Sequence, residues 1–272
     1  MARMERVFDI PSLRGPVAKA AVCGRLFAAL GGDVLQLGFV EGSDLILRLE
    51  RVNDFCWTES TDYRNPLLCA VVDGTLRVFG IETDIPGTLP FDPQRTRRAS
   101  VERITSGVSR LYDFHGGSRV ERVERFGENR VVVIGEDLIL RGLELRVDGI
   151  QEIASIHAKR CQLVFNGFFL GGVTEDSVMF WSDNLEPVGS YPIEKSGKII
   201  PLGMEVFGVA NQGEVEVFNV REGKRDSVEG SGEIVRALSE GFQYIHEEFF
   251  CPLFLRDSIV YVIDREEMVQ RA

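Results

Sequence analysis

An all-β chain of six four-stranded blades set around an axis, a β-propeller, is what the sequence predicts, and three observations carry it. A hairpin unit recurs six times, its spacing is close to 40 residues, and helix signals are nearly absent. Each unit is an apolar run, a short polar turn and a second, alternating run. The units lie at Leu26–Phe39, Leu68–Gly80, Val131–Leu143, Phe168–Trp181, Val206–Phe218 and Phe249–Ile263. With Gly32, Gly74, Glu136, Asp176, Gly213 and Asp257 as turn markers, the intervals are 42, 62, 40, 37 and 44 residues. A period near 40 made of strands alone is long enough for four strands per repeat, with each hairpin supplying the middle pair of a blade.

The two strands of each hairpin have different characters. Runs such as Leu67–Val72 and Val131–Ile134 are continuously apolar and suit strands covered on both faces. Thr75–Phe79 and Glu214–Phe218 alternate, which describes one packed and one partly wet face. The turns between them use Asp-Gly, Glu-Asp and Gln-Gly, residues suited to tight hairpins. Gly232–Glu240 is the only stretch with a plausible helical period, and its glycines favour strand and loop.

The 62-residue interval breaks the rhythm. Pro86, Pro90 and Pro93 fall close together, so residues 82–99 read as an irregular insertion, with strands resuming at Ser100–Ile104, Val108–Phe114 and Ser118–Phe126. Six blades plus this insertion in a single domain spanning residues 1–272 is the preferred count; seven is the alternative if one blade is degenerate. A terminal strand from Arg3–Ile10 is expected to close the ring beside Phe249–Glu266.

The stretch Ile156–Trp181 carries more detail than the others. His157 opens it, Gly171 and Gly172 form a small-residue patch before the turn acid Asp176, and Trp181 ends the third strand. In these features it resembles a WD-repeat blade, with Gly171 or Gly172 standing where that family has a buried serine. Elsewhere only the period continues, and the tryptophan position holds Phe79, Phe218 and Val262. The resemblance implies a hydrogen-bonded structural network of His157 and Asp176 beside a buried Trp181, and a non-catalytic platform for assembly.

Chemistry-bearing motifs are missing. GxSxG, GxxxxGK[ST], GxGxxG, HExxH and an EF-hand loop are all absent, and His115, His157 and His246 are too scattered to ligate a metal, so neither metal nor cofactor is expected. The five cysteines include no CxxC pair and read as small buried hydrophobes. No apolar stretch reaches the roughly 18 residues of a membrane helix, and Lys19 and Arg25 break the nearest candidate at Val17–Leu30. The expected location is therefore cytoplasmic or nuclear.

Charge is distributed unevenly. The chain carries −11, yet Gln94–Arg130 holds nine arginines against five acids, so that segment is +4 and the remainder −15. An acidic majority disfavours general nucleic-acid binding and suits a basic protein partner. Phe91, Arg95, Arg97 and Arg98 of the insertion form a candidate partner-binding element for an acidic peptide or a phosphate. Three readings of function follow. The first is a protein-interaction scaffold or adaptor subunit. The second is an accessory subunit of a nucleic-acid-processing complex that uses the Arg-rich segment 95–130. The third is a propeller enzyme with an axial active site.

Overall fold

The computed structural model describes residues 4–9, 17–23, 26–39, 45–59, 66–83, 106–194, 197–202, 205–210, 215–228, 242–246, 249–256 and 259–263. Their strands form six four-stranded antiparallel sheets. Blade 1 comprises β2 (Val17–Cys23), β3 (Leu26–Gly31), β4 (Val34–Phe39) and β5 (Leu45–Leu49), in that order from the axis outward. Blade 2 comprises β6 (Val52–Thr58), β7 (Leu67–Val72), β8 (Thr75–Thr83) and β9 (Ser106–Phe114). Blade 3 follows as β10 (Val120–Arg125), β11 (Arg130–Gly135), β12 (Ile139–Arg146) and β13 (Gly149–His157). Blade 4 comprises β14 (Gln162–Phe165), β15 (Leu170–Val173), β16 (Ser177–Trp181) and β17 (Pro187–Pro192), and blade 5 comprises β18 (Lys198–Pro201), β19 (Val206–Ala210), β20 (Val215–Asn219) and β21 (Lys224–Val228). Blade 6 takes β22 (Phe242–His246), β23 (Phe249–Arg256) and β24 (Ile259–Ile263) from one end of the chain and β1 (Met4–Asp9) from the other. In every blade the repeated hairpin supplies the two middle strands.

The hydrophobic cores lie between blades rather than within them. One cluster joins blades 1 and 2, a second blades 2 and 3, a third blades 3 and 4, and a fourth blades 4 and 5. Strand β7 shows why its sequence is unbroken Leu-Leu-Cys-Ala-Val-Val. Leu68, Ala70 and Val72 pack toward blade 1, while Leu67, Cys69 and Val71 pack toward blade 3. Strand β11 divides in the same way, with Val131 and Val133 facing blade 2 and Val132 and Ile134 facing blade 4. A strand covered on both faces has no polar side to alternate with, so period 2 disappears from the sequence.

Glycines and tryptophans complete these contacts. A Cβ on Gly171 would lie 2.6 Å from Ile199 Cδ1, and one on Gly172 would lie 2.8 Å from Trp181 Cζ3, so β15 is bare where blades 4 and 5 and the Trp181 ring close on it. Trp181 is buried, as the repeat pattern implies. Trp57 on β6 is equally buried and reaches blade 1, its indole Nε1 donating to Ala21 O at 3.3 Å. Cys56, Cys69 and Cys161 are buried free thiols.

Two sequence expectations change in detail. The turn expected at Glu136-Asp137 spans Glu136–Leu138, and Leu138 rather than either acid takes positive φ (59°), its amide donating to Gly135 O. Asp137 is engaged instead by Arg141, which keeps the acid in place and passes the left-handed position to the next residue. Strand β8 extends through Thr83, opposite Ser106 of β9, so Glu82 and Thr83 belong to the sheet rather than to the insertion. The rest of the insertion, the expected strand at Ser100–Ile104 and the stretch Gly232–Glu240 lie outside the described residues.

Closure follows the expected course. Strand β1 pairs antiparallel with β24, with Met4 opposite Ile263 and Asp9 opposite Ile259, and β22 packs beside β2. Blade 6 is thus built from both termini, and the ring has no seam made of loops alone.

Two measurements check this architecture. Removing Met1–Ile10 should strip blade 6 of its outer strand and lower the melting temperature by several degrees or more, at about 2–4 °C per kcal/mol lost; an unchanged melting curve would mean that β1 contributes nothing to closure. Trp181→Ala should cost about 3–5 kcal/mol in denaturant unfolding, and a loss below about 1 kcal/mol would show that the ring does not fill the space over Gly172.

Candidate functional site

The inner strands bring together charges that lie far apart in sequence. Lys19 on β2 places its Nζ 2.9 Å from Asp54 Oδ1 on β6 and 3.4 Å from Glu124 Oε2 on β10. The two carboxylates are 6% and 4% exposed, so this is a buried ionic knot joining blades 1, 2 and 3. Asp54 also accepts from the amides of Phe55 (2.9 Å) and Val123 (3.0 Å), and Lys19 lies 5.5 Å from the centre of the Phe55 ring. Each of the three side chains begins on a strand nearest the axis, where neighbouring blades converge.

Proton affinities in the knot follow from burial and charge. Burial alone would lower the Lys19 ammonium, but the carboxylates of Asp54 and Glu124 outweigh it and hold Lys19 above the usual lysine value. Burial pushes Glu124 up to about 7, Asp54 adds to the rise, and Lys19 opposes it. Lys198, at the start of β18, is pushed down to about 8, chiefly by burial and then by the charge of Lys19. The axis therefore holds one close ion pair, Lys19 with Asp54, beside a carboxyl raised by burial and an ammonium lowered by burial.

Arg225 forms an ion pair within blade 5 and a hydrogen bond across to blade 4. Arg225 pairs with the buried Glu216 at 2.6 Å, donates to Pro192 O at 2.9 Å and lies 5.8 Å from the Phe218 ring centre.

The residues singled out from sequence are placed unevenly. Phe91, Arg95, Arg97 and Arg98 lie outside the described residues. His157 and Asp176 do not form the expected pair. His157 ends β13 opposite Ile139 and is exposed, whereas Asp176 sits in the β15–β16 turn and accepts from Lys159 Nζ (2.9 Å), Thr174 Oγ1 (2.7 Å) and Ser177 Oγ (3.0 Å). Lys159, two residues beyond His157, takes the acid because the β12–β13 ladder holds the histidine in the sheet. The hydrogen bond from Lys159 leads those from Thr174 and Ser177 in holding the Asp176 carboxyl well below the usual range.

The Arg-rich segment is largely neutralised where it is described. Arg110 pairs with Asp113, Arg119 with Glu136, Arg125 with Glu59 and Arg130 with Glu144, which accounts for four of its five described arginines. Among the described residues, no group of three His, Cys, Asp or Glu side chains could hold a metal ion, and no helix is long and apolar enough to cross a membrane.

Phe168, which no motif marks, stands exposed in the β14–β15 turn. The turn is rigidly built. Asn166 is buried and its Oδ1 accepts from the amides of Phe168 (3.0 Å) and Phe169 (2.8 Å).

Glu124 sets a pH dependence whose sign is fixed. Between pH 4.5 and about 7 the folded protein keeps a proton that the unfolded chain has released. The folded state binds more protons there, so the contribution of this group to stability falls as pH rises across that window and is level outside it. Lys19 stays protonated in both states over the same range and adds no slope. The stability difference between wild type and Glu124→Gln, read by denaturant unfolding, should decline across this window; a difference independent of pH would place Glu124 at its ordinary value.

No family model and no curated protein matches the chain. Its fold is similar to solved structures of low sequence identity. Chaetomium thermophilum Sqt1 bound to the N-terminus of ribosomal protein L10 aligns with a TM-score of 0.55 and 14% identity, over 84% of this chain and 67% of that one. Sqt1 of the same organism solved alone gives 0.56 and 14%, over 84% and 65%. A chain of the mitotic checkpoint complex gives 0.56 and 9%, over 96% of this chain and 92% of its own. With the six radial sheets, these likenesses show that the chain has a WD-repeat-like β-propeller fold.

Proposed function

We propose that this propeller is a protein-interaction scaffold or adaptor subunit. The observation that carries the reading is the fold itself, which Sqt1 presents in a complex with a ribosomal protein segment and which recurs in the mitotic checkpoint complex. The axial charges support it further. Lys19, Asp54 and Glu124 are turned toward one another across blades, as side chains that brace a platform would be. Buried free thiols at Cys56 and Cys69, opposite one another on β6 and β7, suit a reducing compartment and a cytoplasmic or nuclear site of action.

The insertion is the proposed second contact element. Thr83 and Ser106 are paired across β8 and β9, so the segment between them is rooted at the end of the propeller that carries the β10–β11 and β14–β15 turns. Its Phe91, Arg95, Arg97 and Arg98 suit an acidic peptide or a phosphate.

Native co-purification with mass spectrometry tests both statements. The wild type should bring down a stoichiometric protein partner, and Arg95→Ala, Arg97→Ala and Arg98→Ala together should weaken a salt-sensitive contact while leaving the melting temperature unchanged. A wild-type protein that recovers no partner, or a triple variant that keeps every partner with the same salt response, removes the scaffold reading or the role of the insertion, respectively.

A further inference from the structure

We propose that one end of blades 3 and 4, centred on Phe168, is a docking surface for a basic peptide segment of a partner protein that carries an apolar anchor. The inference rests on the scaffold reading and assigns it a surface and a partner chemistry.

Exposed apolar side chains stand at this end. All five large hydrophobic side chains exposed among the described residues belong to blades 3 and 4, and Val147 (66% exposed) and Phe168 (53%) stand in turns at the same end. Phe168 is not loose. Asn166 fixes its amide, the adjoining Phe169 packs into the core between blades 4 and 5, and Gly167 turns the chain with φ of 101°. An aromatic side chain held out in water by an ordered turn is costly unless a partner covers it, and such side chains dominate binding energy at interfaces.

The surroundings specify the partner's charge. Phe126 and Phe165 meet edge to face at 5.6 Å, and Leu185 joins their cluster. That cluster brings the turns at residues 126–129 and 182–186 beside the turn bearing Phe168. The two flanking turns display Glu128, Asp183 and Glu186, all exposed and none paired with a base among the described residues. Three uncompensated carboxylates around an exposed phenylalanine complement lysine or arginine flanking an apolar side chain. A second copy of this chain would set like charges against each other and is disfavoured as the occupant.

The test uses fluorescence anisotropy on the full chain with a labelled Lys-Lys-Leu-Phe-Lys-Lys peptide. Glu-Glu-Leu-Phe-Glu-Glu and Lys-Lys-Ser-Ser-Lys-Lys serve as controls. The first peptide should bind most tightly and weaken with salt. Phe168→Ser, and separately Glu128→Gln with Asp183→Asn and Glu186→Gln, should each weaken it by about tenfold or more. Asp33→Asn with Glu175→Gln and Glu194→Gln, at the opposite end, should leave it unchanged. The proposal is overturned if the wild type does not bind the peptide, if the serine peptide binds equally well, or if the opposite-end variant loses as much. A native partner retained in full by both site variants would also overturn it and leave the scaffold reading intact, whereas a wild type without any partner would strike that reading first.

Discussion

A sheet whose two faces are both apolar needs a neighbour on each side, and this requirement organises the molecule. Strands β7 and β11 send alternate side chains into different inter-blade clusters, so neither blade 2 nor blade 3 has a core of its own. At about 25 cal/mol per Å² of apolar surface buried, a blade left unpaired would forfeit the main term that holds it folded. The ring must then close, and joining β1 to β24 in blade 6 secures the last interface by backbone pairing between segments from opposite ends of the chain. Stability in such an array belongs to the interfaces between repeats more than to any single repeat.

Closure has an electrostatic consequence. Inner strands converge on the axis, and polar side chains there lose water whether or not they find partners. Lys19 resolves this for two carboxylates at once, and the amides of Phe55 and Val123 supply the remaining bonds to Asp54. Buried ion pairs add little net stability against well-packed apolar side chains, yet removing one partner costs about 3–5 kcal/mol because the other charge remains. The knot therefore acts more as a register device than as a source of stability: it tolerates only one alignment of β2, β6 and β10. Glu124 shows the strain of the arrangement, since Lys19 is already committed to Asp54 at the shorter distance and burial leaves Glu124 holding its proton near neutrality.

Much of this was legible because it is local. A hairpin needs two strands and a turn within about 15 residues, and all six were readable from hydrophobic pattern and turn residues alone. Trp181 and the glycines before Asp176 marked a packed blade for the same reason. Contacts between blades left no such trace. Lys19 and Glu124 are separated by 105 positions, and nothing in either neighbourhood announces the other. The pairing of Asp176 with Lys159 rather than His157 depended on where the β12–β13 ladder ends, a matter of register that sequence pattern fixes only to within a residue or two. Phe168 sits in an apolar run that reads as strand, and its exposure follows from the Asn166-anchored turn.

The same geometry explains why the described part of the Arg-rich segment does not become a basic face. Arginines at 119, 125 and 130 stand at strand ends and turns, where an antiparallel ladder or an adjoining blade sets a carboxylate within reach of each, and Arg110, midway along β9, pairs with Asp113 three residues on in the same strand. Once such pairs form, the field that a partner meets is set by what remains unpaired. Around the β14–β15 turn those groups are Glu128, Asp183 and Glu186. With most arginines in the described part of the Arg-rich segment paired, this end presents negative charge beside its exposed aromatic side chain. Recognition at that end then depends on a partner that supplies cations to steer the encounter and an apolar side chain to hold it, with the first governing rate and the second lifetime.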